Sequence, residues 1–301
     1  MKIGVIDLGT NTFTILIAEV VENEPFKEVL RDRIHVNLAS EGIALIAEKP
    51  FERGLAAMNF FAEKLKTFEV EKVRAVGTAA LRTAANGRDF VKKVKEETGI
   101  SIEIIDGEEE ASLIYGGVSA AYPFGDDYGI IMDIGGGSVE FILANKDGFR
   151  WKQSFPIGVA VLYNEFHHSN PMSATEIEAT RVFLEKKLQP LFDVLEKYPV
   201  KTLIGASGTF DVLERIYVKE KSNPLYTSIS TADAYDFYHQ VKDKTEVERL
   251  SIGNFAPERN VMIVVAMVLM TFVIEKCKIE SVVACAYAMK EGILKKMRSL
   301  E

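Results

Sequence analysis

Apolar and polar positions along this chain form short runs that switch between a period of two and a period of 3.6. Ile3 to Ile6 and Thr12 to Val20 read as strands joined by Asp7-Leu8-Gly9-Thr10-Asn11-Thr12, and Phe26 to His35 reads as a third strand. A helix near Phe51 to Phe68, a strand Val73 to Gly77, a helix near Arg88 to Thr98, a strand Ile102 to Ile105 and a helix from Glu108 to Tyr122 follow. The polar, turn-rich segment Pro123-Phe124-Gly125-Asp126-Asp127 then breaks the alternation.

Beyond the break the order restarts. The strand Ile130 to Met132 leads into Asp133-Ile134-Gly135-Gly136-Gly137-Ser138-Val139-Glu140, followed by strands Phe141 to Ala144 and Trp151 to Phe155. A single helix is expected from Ala174 to Lys197, then a strand Thr202 to Gly205, the small-residue turn Ala206-Ser207-Gly208-Thr209, and a mainly helical remainder. Two halves in the same order imply divergent copies of one α/β unit, divided as 1–123 and 124–301.

Composition adds bounds. With 301 residues, 48% of them hydrophobic, the chain is long enough for two domains. A net charge of -8 argues against a nucleic-acid surface, so a polyanionic ligand needs a locally basic cleft. The start MKIGVIDLGT enters a strand pattern directly, so a cytoplasmic location is expected. The longest apolar run, Val261 to Ile274, is bracketed by Arg259 and Glu275 and is too short to cross a bilayer, so it reads as a buried helix and no membrane partner is expected. Cys277 and Cys285 stand without a His at metal-ligand spacing and read as packed, reduced thiols.

The repeated strand-end acid followed by a Gly and hydroxyl turn carries the chemistry. Glycine lets backbone N–H groups approach a phosphate closely. An Asp at the strand end, Asp7 or Asp133, can hold a hydrated Mg²⁺ beside it. Thr10, Asn11 and Thr12 after the first acid, and Gly135, Gly136, Gly137 and Ser138 after the second, supply donors; a turn-capping role is the plainer alternative for each acid.

Glu108, Glu109 and Glu110 open a helix, where the macrodipole favours acids whatever their function. At 100° per residue, Ala111, Ile114, Tyr115 and Val118 form the apolar stripe, Glu109 points away from it and Glu110 sits at its edge. A partly desolvated Glu110 is the candidate general base for water, with Glu140 as its partner. Arg82, alone among small residues after the strand Val73 to Val76, offers a fork for phosphate. Ser207, Gly208 and Thr209 form a third, weaker cradle. Arg181, Lys186, Lys187 and Arg259 could extend a basic channel, although basic residues on helices are usually solvated, and His167 and His168 read as a loop. There is no GxxxxGK[ST] and no GxGxxG opening a helix.

With these pieces assembled, the chain resembles the Ppx/GppA phosphatases, the exopolyphosphatase and guanosine pentaphosphate phosphohydrolase family of the actin-like superfamily. The resemblance rests on DLGTNT at 7–12, VGTAALRTAANG at 76–87, IEIIDGEEEASLIYGG at 102–117, DIGGGSVE at 133–140 and GASGT at 205–209. It implies two ribonuclease H-like domains around a cleft, with the final helix, from Ala286 to Leu300, packing back on the first. It further implies that Glu110 is the catalytic base, that Asp133 and Glu140 position water and metal, and that Arg82 contacts phosphate. Asp7, Thr10 and Asn11 would form the first phosphate and metal loop, and Gly135 to Ser138 with Ser207 to Thr209 the loops of the second domain.

The implied activity is Mg²⁺-dependent removal of terminal phosphate from inorganic polyphosphate or guanosine pentaphosphate, between which the loops do not choose. Two departures stand out: Thr12 replaces the family's commoner Ser, and the sequence ends without the HD-type domain of longer members, which bears on processivity and dimer contacts. A homodimer is compatible with the sequence, although no motif specifies one. An actin-like sugar or small-molecule kinase, a non-catalytic alarmone sensor and, least favoured, a filament-forming actin relative are the alternatives.

Overall fold

The computed structural model describes residues 1–21, 24–206, 208–252 and 257–298. In chain order the first half comprises β1 (Lys2–Leu8), β2 (Thr12–Glu19), β3 (Lys27–His35), α1 (Glu48–Thr67), β4 (Lys72–Gly77), α2 (Ala79–Thr83), α3 (Gly87–Thr98), β5 (Ile102–Ile104) and α4 (Gly107–Ala121). The second half begins with β6 (Gly129–Ile134), β7 (Val139–Asn145), β8 (Gly148–Phe155), α5 (Val159–Phe166), α6 (Ala174–Lys187), α7 (Gln189–Lys197), β9 (Thr202–Gly205) and α8 (Gly208–Tyr217). It continues through β10 (Tyr226–Ser230), α9 (Thr231–Lys242), α10 (Glu246–Arg249), α11 (Pro257–Asn260), α12 (Ile263–Lys276), β11 (Ser281–Cys285) and α13 (Met289–Arg298).

Two sheets result, ordered β3-β2-β1-β4-β5 and β10-β11-β9-β6-β7-β8. Read from its far edge, β8-β7-β6-β9-β11 repeats the first sheet strand for strand, with β10 added antiparallel at the end. In both, an antiparallel meander is extended by parallel strands from its first member. The sequence repeat is thus a structural repeat of the ribonuclease H-like kind.

Three apolar clusters hold the layers. One packs α1 and α3 on the outer face of the first sheet through Phe13, Phe61 and Phe90. Another surrounds α12, whose residues from Ile263 to Ile274 are all buried. Each fully buried Leu, Ile or Met there contributes roughly 1.5–3 kcal/mol relative to exposure. No helix among the described residues is long and apolar enough to cross a membrane.

The third cluster lies between the two sheets and joins them: Ile3, Val5 and Leu16 of the first meet Ile131, Ile142 and Val283 of the second across α4 and α13. Helix α4 rests on β7 and β8, α13 rests on β1, and the two helices pack on each other. They cross at glycine. A Cβ on Gly117 would run into the Ala288 carbonyl, and one on Gly292 into the Leu113 carbonyl, so only hydrogen fits between the backbones.

One expectation fails for a physical reason. The single helix from Ala174 to Lys197 is two helices, because Leu188 caps one and starts the next, and Pro190 stands in the first turn of α7, where it cannot continue the hydrogen-bond ladder of α6. The remainder is mainly helical, as expected, with β10 and β11 added to complete the second sheet. The alternation that places Thr227 and Ile229 inward in β10 is too short to stand out between helices.

Candidate active site

Asp7 is the penultimate residue of β1 and Asp133 the penultimate residue of β6. Each strand then enters a turn closed in the same way: Gly9 N–H donates to the Thr12 carbonyl at 3.1 Å, and Gly135 N–H donates to the Ser138 carbonyl at 3.0 Å. The turns face each other. A Cβ on Gly136 would lie 2.8 Å from Asn11 Cγ and 2.9 Å from Thr10 Cβ, so the second loop meets the first only because glycine is there.

A cleft of about 1090 Å³ opens at this junction. Asp7, Thr10, Asn11 and Thr12 line it from one lobe, and Asp133, Gly135 to Ser138, Gly208 and Thr209 from the other. Among the described residues Thr10 Oγ1 and Asn11 Oδ1 are buried without a hydrogen-bond partner, and Asn11 Nδ2 finds only Met262 Sδ at 3.4 Å. Buried polar atoms left unpaired are uncommon and costly. Ser207 lies outside the described residues. The Arg259 guanidinium donates to the Gly208 carbonyl and lines the cleft. Arg181 instead pairs with Glu275, and Lys186 and Lys187 are exposed.

Glu110 comes from the first turn of α4, whose N-cap Asp106 accepts from Glu109 N at 2.8 Å. As the helical spacing implies, Glu109 turns outward to Arg74 and Lys296, whereas Glu110 is buried and lines the cleft. Burial, then the neighbouring Glu140 carboxylate, push the Glu110 carboxyl well above its ordinary range. Asp133 is raised well above its range by the same two causes in the same order, and burial is also the largest cause of the upward shifts of Asp7 and Glu140. Glu140 faces Asp133 across the β6–β7 pair and accepts from Ser154 Oγ at 2.6 Å.

Two cations offset this acidic group. Arg82 Nη1 lies 3.3 Å from Glu110 Oε2 and donates to the Ile105 carbonyl at 2.7 Å. Its side chain lines a separate cavity on the far side of Glu110 rather than the main cleft. Lys290, from the start of α13, reaches to within 4.0 Å of Asp7 and draws the Asp133 carboxyl downward. Sequence reasoning missed Lys290 and Ser154: the last helix showed only a packing face, and Ser154 becomes meaningful only through its register opposite Glu140.

Among the described residues no three Asp, Glu, His or Cys side chains are placed to cage a metal ion. Mg²⁺ commonly takes one or two carboxylates and completes its shell with water and phosphate oxygens. Strand-end Asp7 and Asp133, beside Thr10 Oγ1 and Asn11 Oδ1, which are unpaired among the described residues, fit that mode and not an all-protein cage.

Comparisons with known proteins agree with this architecture. The chain is 35% identical to an exopolyphosphatase of known structure from Cytophaga hutchinsonii ATCC 33406, with a TM-score of 0.95 over 99% of this chain and 98% of that one. The Aquifex aeolicus PPX-GPPA enzyme, at 24% identity and a TM-score of 0.79 over 98% of this chain and 99% of that one, shares the fold. Among curated proteins, the guanosine-5'-triphosphate,3'-diphosphate pyrophosphatases of Vibrio vulnificus and Photobacterium profundum are 30% and 28% identical over 98% of this chain. The chain spans 59% of the length of each of these two. The model of the Ppx/GppA phosphatase family matches residues 16–301, and with the paired turns around a common cleft this places the chain in that family.

Proposed function

We propose that the protein is a hydrolase that removes the terminal phosphate from a linear phosphoanhydride, inorganic polyphosphate or guanosine pentaphosphate, with Glu110 as the base. The observation that carries the reading is a buried Glu110 beside two facing phosphate-type turns whose Thr10 and Asn11 side-chain oxygens lack partners among the described residues. The names of the relatives, an exopolyphosphatase and guanosine pentaphosphate pyrophosphatases, support the substrate class.

In this reading the terminal phosphoryl group sits between the turns, where Thr10, Asn11 and the N–H groups of Gly135 to Ser138 orient its oxygens. Glu110 accepts a proton from the attacking water, and Glu140, held by Ser154, fixes the water from the other side. Mg²⁺ held by Asp7 and Asp133, with Glu140 behind them, would neutralise charge on the phosphate oxygens. The two lobes act as domains divided at 123/124, a boundary supported by the strand-free stretch between Ala121 and Gly129. A cytoplasmic location belongs to the same reading and is supported by the free thiols of Cys277 and Cys285.

The test is phosphate release from long polyphosphate, short polyphosphate and guanosine pentaphosphate, with Mg²⁺ and then with chelator. Release from at least one substrate that stops with chelator is expected. No release from any of them, with ATP-dependent phosphorylation of a sugar or tight nucleotide binding in its place, would overturn the reading.

A further inference from the structure

A second cavity of about 470 Å³ lies behind the loops, lined by Ile43, Thr83, Gly107, Ser154, Pro156 and Val161 together with Arg82. It shares a wall with the main cleft: Ala79, Gly137 and Ser138 line both. Within that wall Gly137 packs directly against Ala79, where an added Cβ would lie 2.7 Å from Ala79 Cβ. Across the same boundary runs the ion pair of Arg82, which faces the second cavity, and Glu110, which faces the first. Both hydrogen bonds of Arg82 use Nη1, so among the described residues its Nε and Nη2 remain available to an anion.

The geometry points to this cavity as the exit subsite for orthophosphate, with Arg82 as the group that draws the product out of the main cleft. The inference rests on the hydrolase reading above. In an in-line displacement the water oxygen bonds to the terminal phosphorus on the side opposite the breaking bridge bond. The water proton passes to Glu110, the bridging oxygen stays with the shortened chain, and the new orthophosphate carries the water oxygen.

Orthophosphate therefore forms at the inner end of the cleft, beside Glu110, while the remaining chain fills the outer part. Leaving through the main cleft would require the chain to dissociate first. Leaving past Arg82 would not. One guanidinium fork binds a phosphate anion, while Asp106 and Glu108 on the same cavity wall keep that binding weak enough for release.

Thr83→Trp and Val161→Phe fill the cavity from its exposed and half-exposed wall and leave Glu110, Glu140, Asp7, Asp133 and Arg82 unsubstituted. Wild type and both variants would be mixed rapidly with short linear polyphosphate and Mg²⁺. Acid-quenched chain shortening and free phosphate, read by a fluorescent phosphate-binding reporter, would be followed in parallel. In the plugged proteins the first turnover should keep its quenched rate while free phosphate lags it by roughly tenfold, with product release becoming limiting. Superposed quenched and free traces in both plugged proteins, at wild-type speed, would overturn the exit route and leave the hydrolase reading standing. No chain shortening in the wild type would instead overturn the hydrolase reading, and the exit route with it.

Discussion

Lys290 Nζ stands 4.0 Å from Asp7 Oδ2, so a cation from the last helix reaches an acid at the end of the first strand. It also lowers the Asp133 carboxyl, against the upward push of burial and Glu140. Lys290→Met should raise both carboxyls further, because a cation favours the ionised form and its loss favours the protonated one. The acid limb of the kcat/KM profile should move to higher pH and kcat/KM at neutral pH should fall by about 10- to 100-fold. A pH profile of the variant checks this, and an unmoved acid limb would remove Lys290 from the site.

Glu110→Gln keeps the side chain's shape and removes the carboxylate proposed as the base. Loss of general-base catalysis costs roughly 10²- to 10⁴-fold, so kcat should drop by that much while substrate binding stays near wild type. Steady-state kinetics paired with equilibrium binding of a non-hydrolysable polyphosphate separate the two effects. A variant that turns over normally would refute the assignment of the base.

The acidic group should also cost stability at neutral pH. A carboxyl whose folded-state pKa is raised contributes stability below its unfolded pKa and loses it as pH rises through the folded value. Asp133 is such a group, raised by burial and then by Glu140. Asp133→Asn should therefore raise Tm by a few degrees at about pH 8 and by less at about pH 5. His35 and His167, both lowered by burial, work in the opposite direction and are unchanged by the substitution, so the variant-minus-wild-type difference isolates the carboxyl. Calorimetry across that range provides the measurement, and an equal shift at both ends would contradict the expected sign.

Gly117→Val and Gly292→Val should each destabilise the protein by about 3 kcal/mol, near the upper end of overpacking costs, because the added Cβ meets a backbone carbonyl that cannot rotate away. Urea unfolding midpoints measure the loss. Gly125→Ala, where an added Cβ meets nothing within 4 Å, is the matched control and should be near neutral.

Local pattern made the repeated units legible, since each acid-glycine turn is a continuous stretch whose meaning needs no distant partner. Glu110 was legible for the same reason: 100° steps along one helix separate it from Glu109. Lys290, Ser154 and the cavity behind Arg82 were not. Each matters only through what another element brings beside it, and no periodicity records that the start of α13 meets the end of β1. Pro190 is a local break signal in the sequence that the single-helix reading of Ala174 to Lys197 does not use.

The crossing at Gly117 and Gly292 sets a tolerance. Helix α4 carries Glu110 and α13 carries Lys290, so the separation of carboxyl and cation is gauged by two main chains with only hydrogen atoms between them. Side-chain spacers can change rotamer and shift such a distance by an ångström; a main-chain spacer has no rotamers to change. The site inherits its accuracy from two residues that have no chemistry of their own.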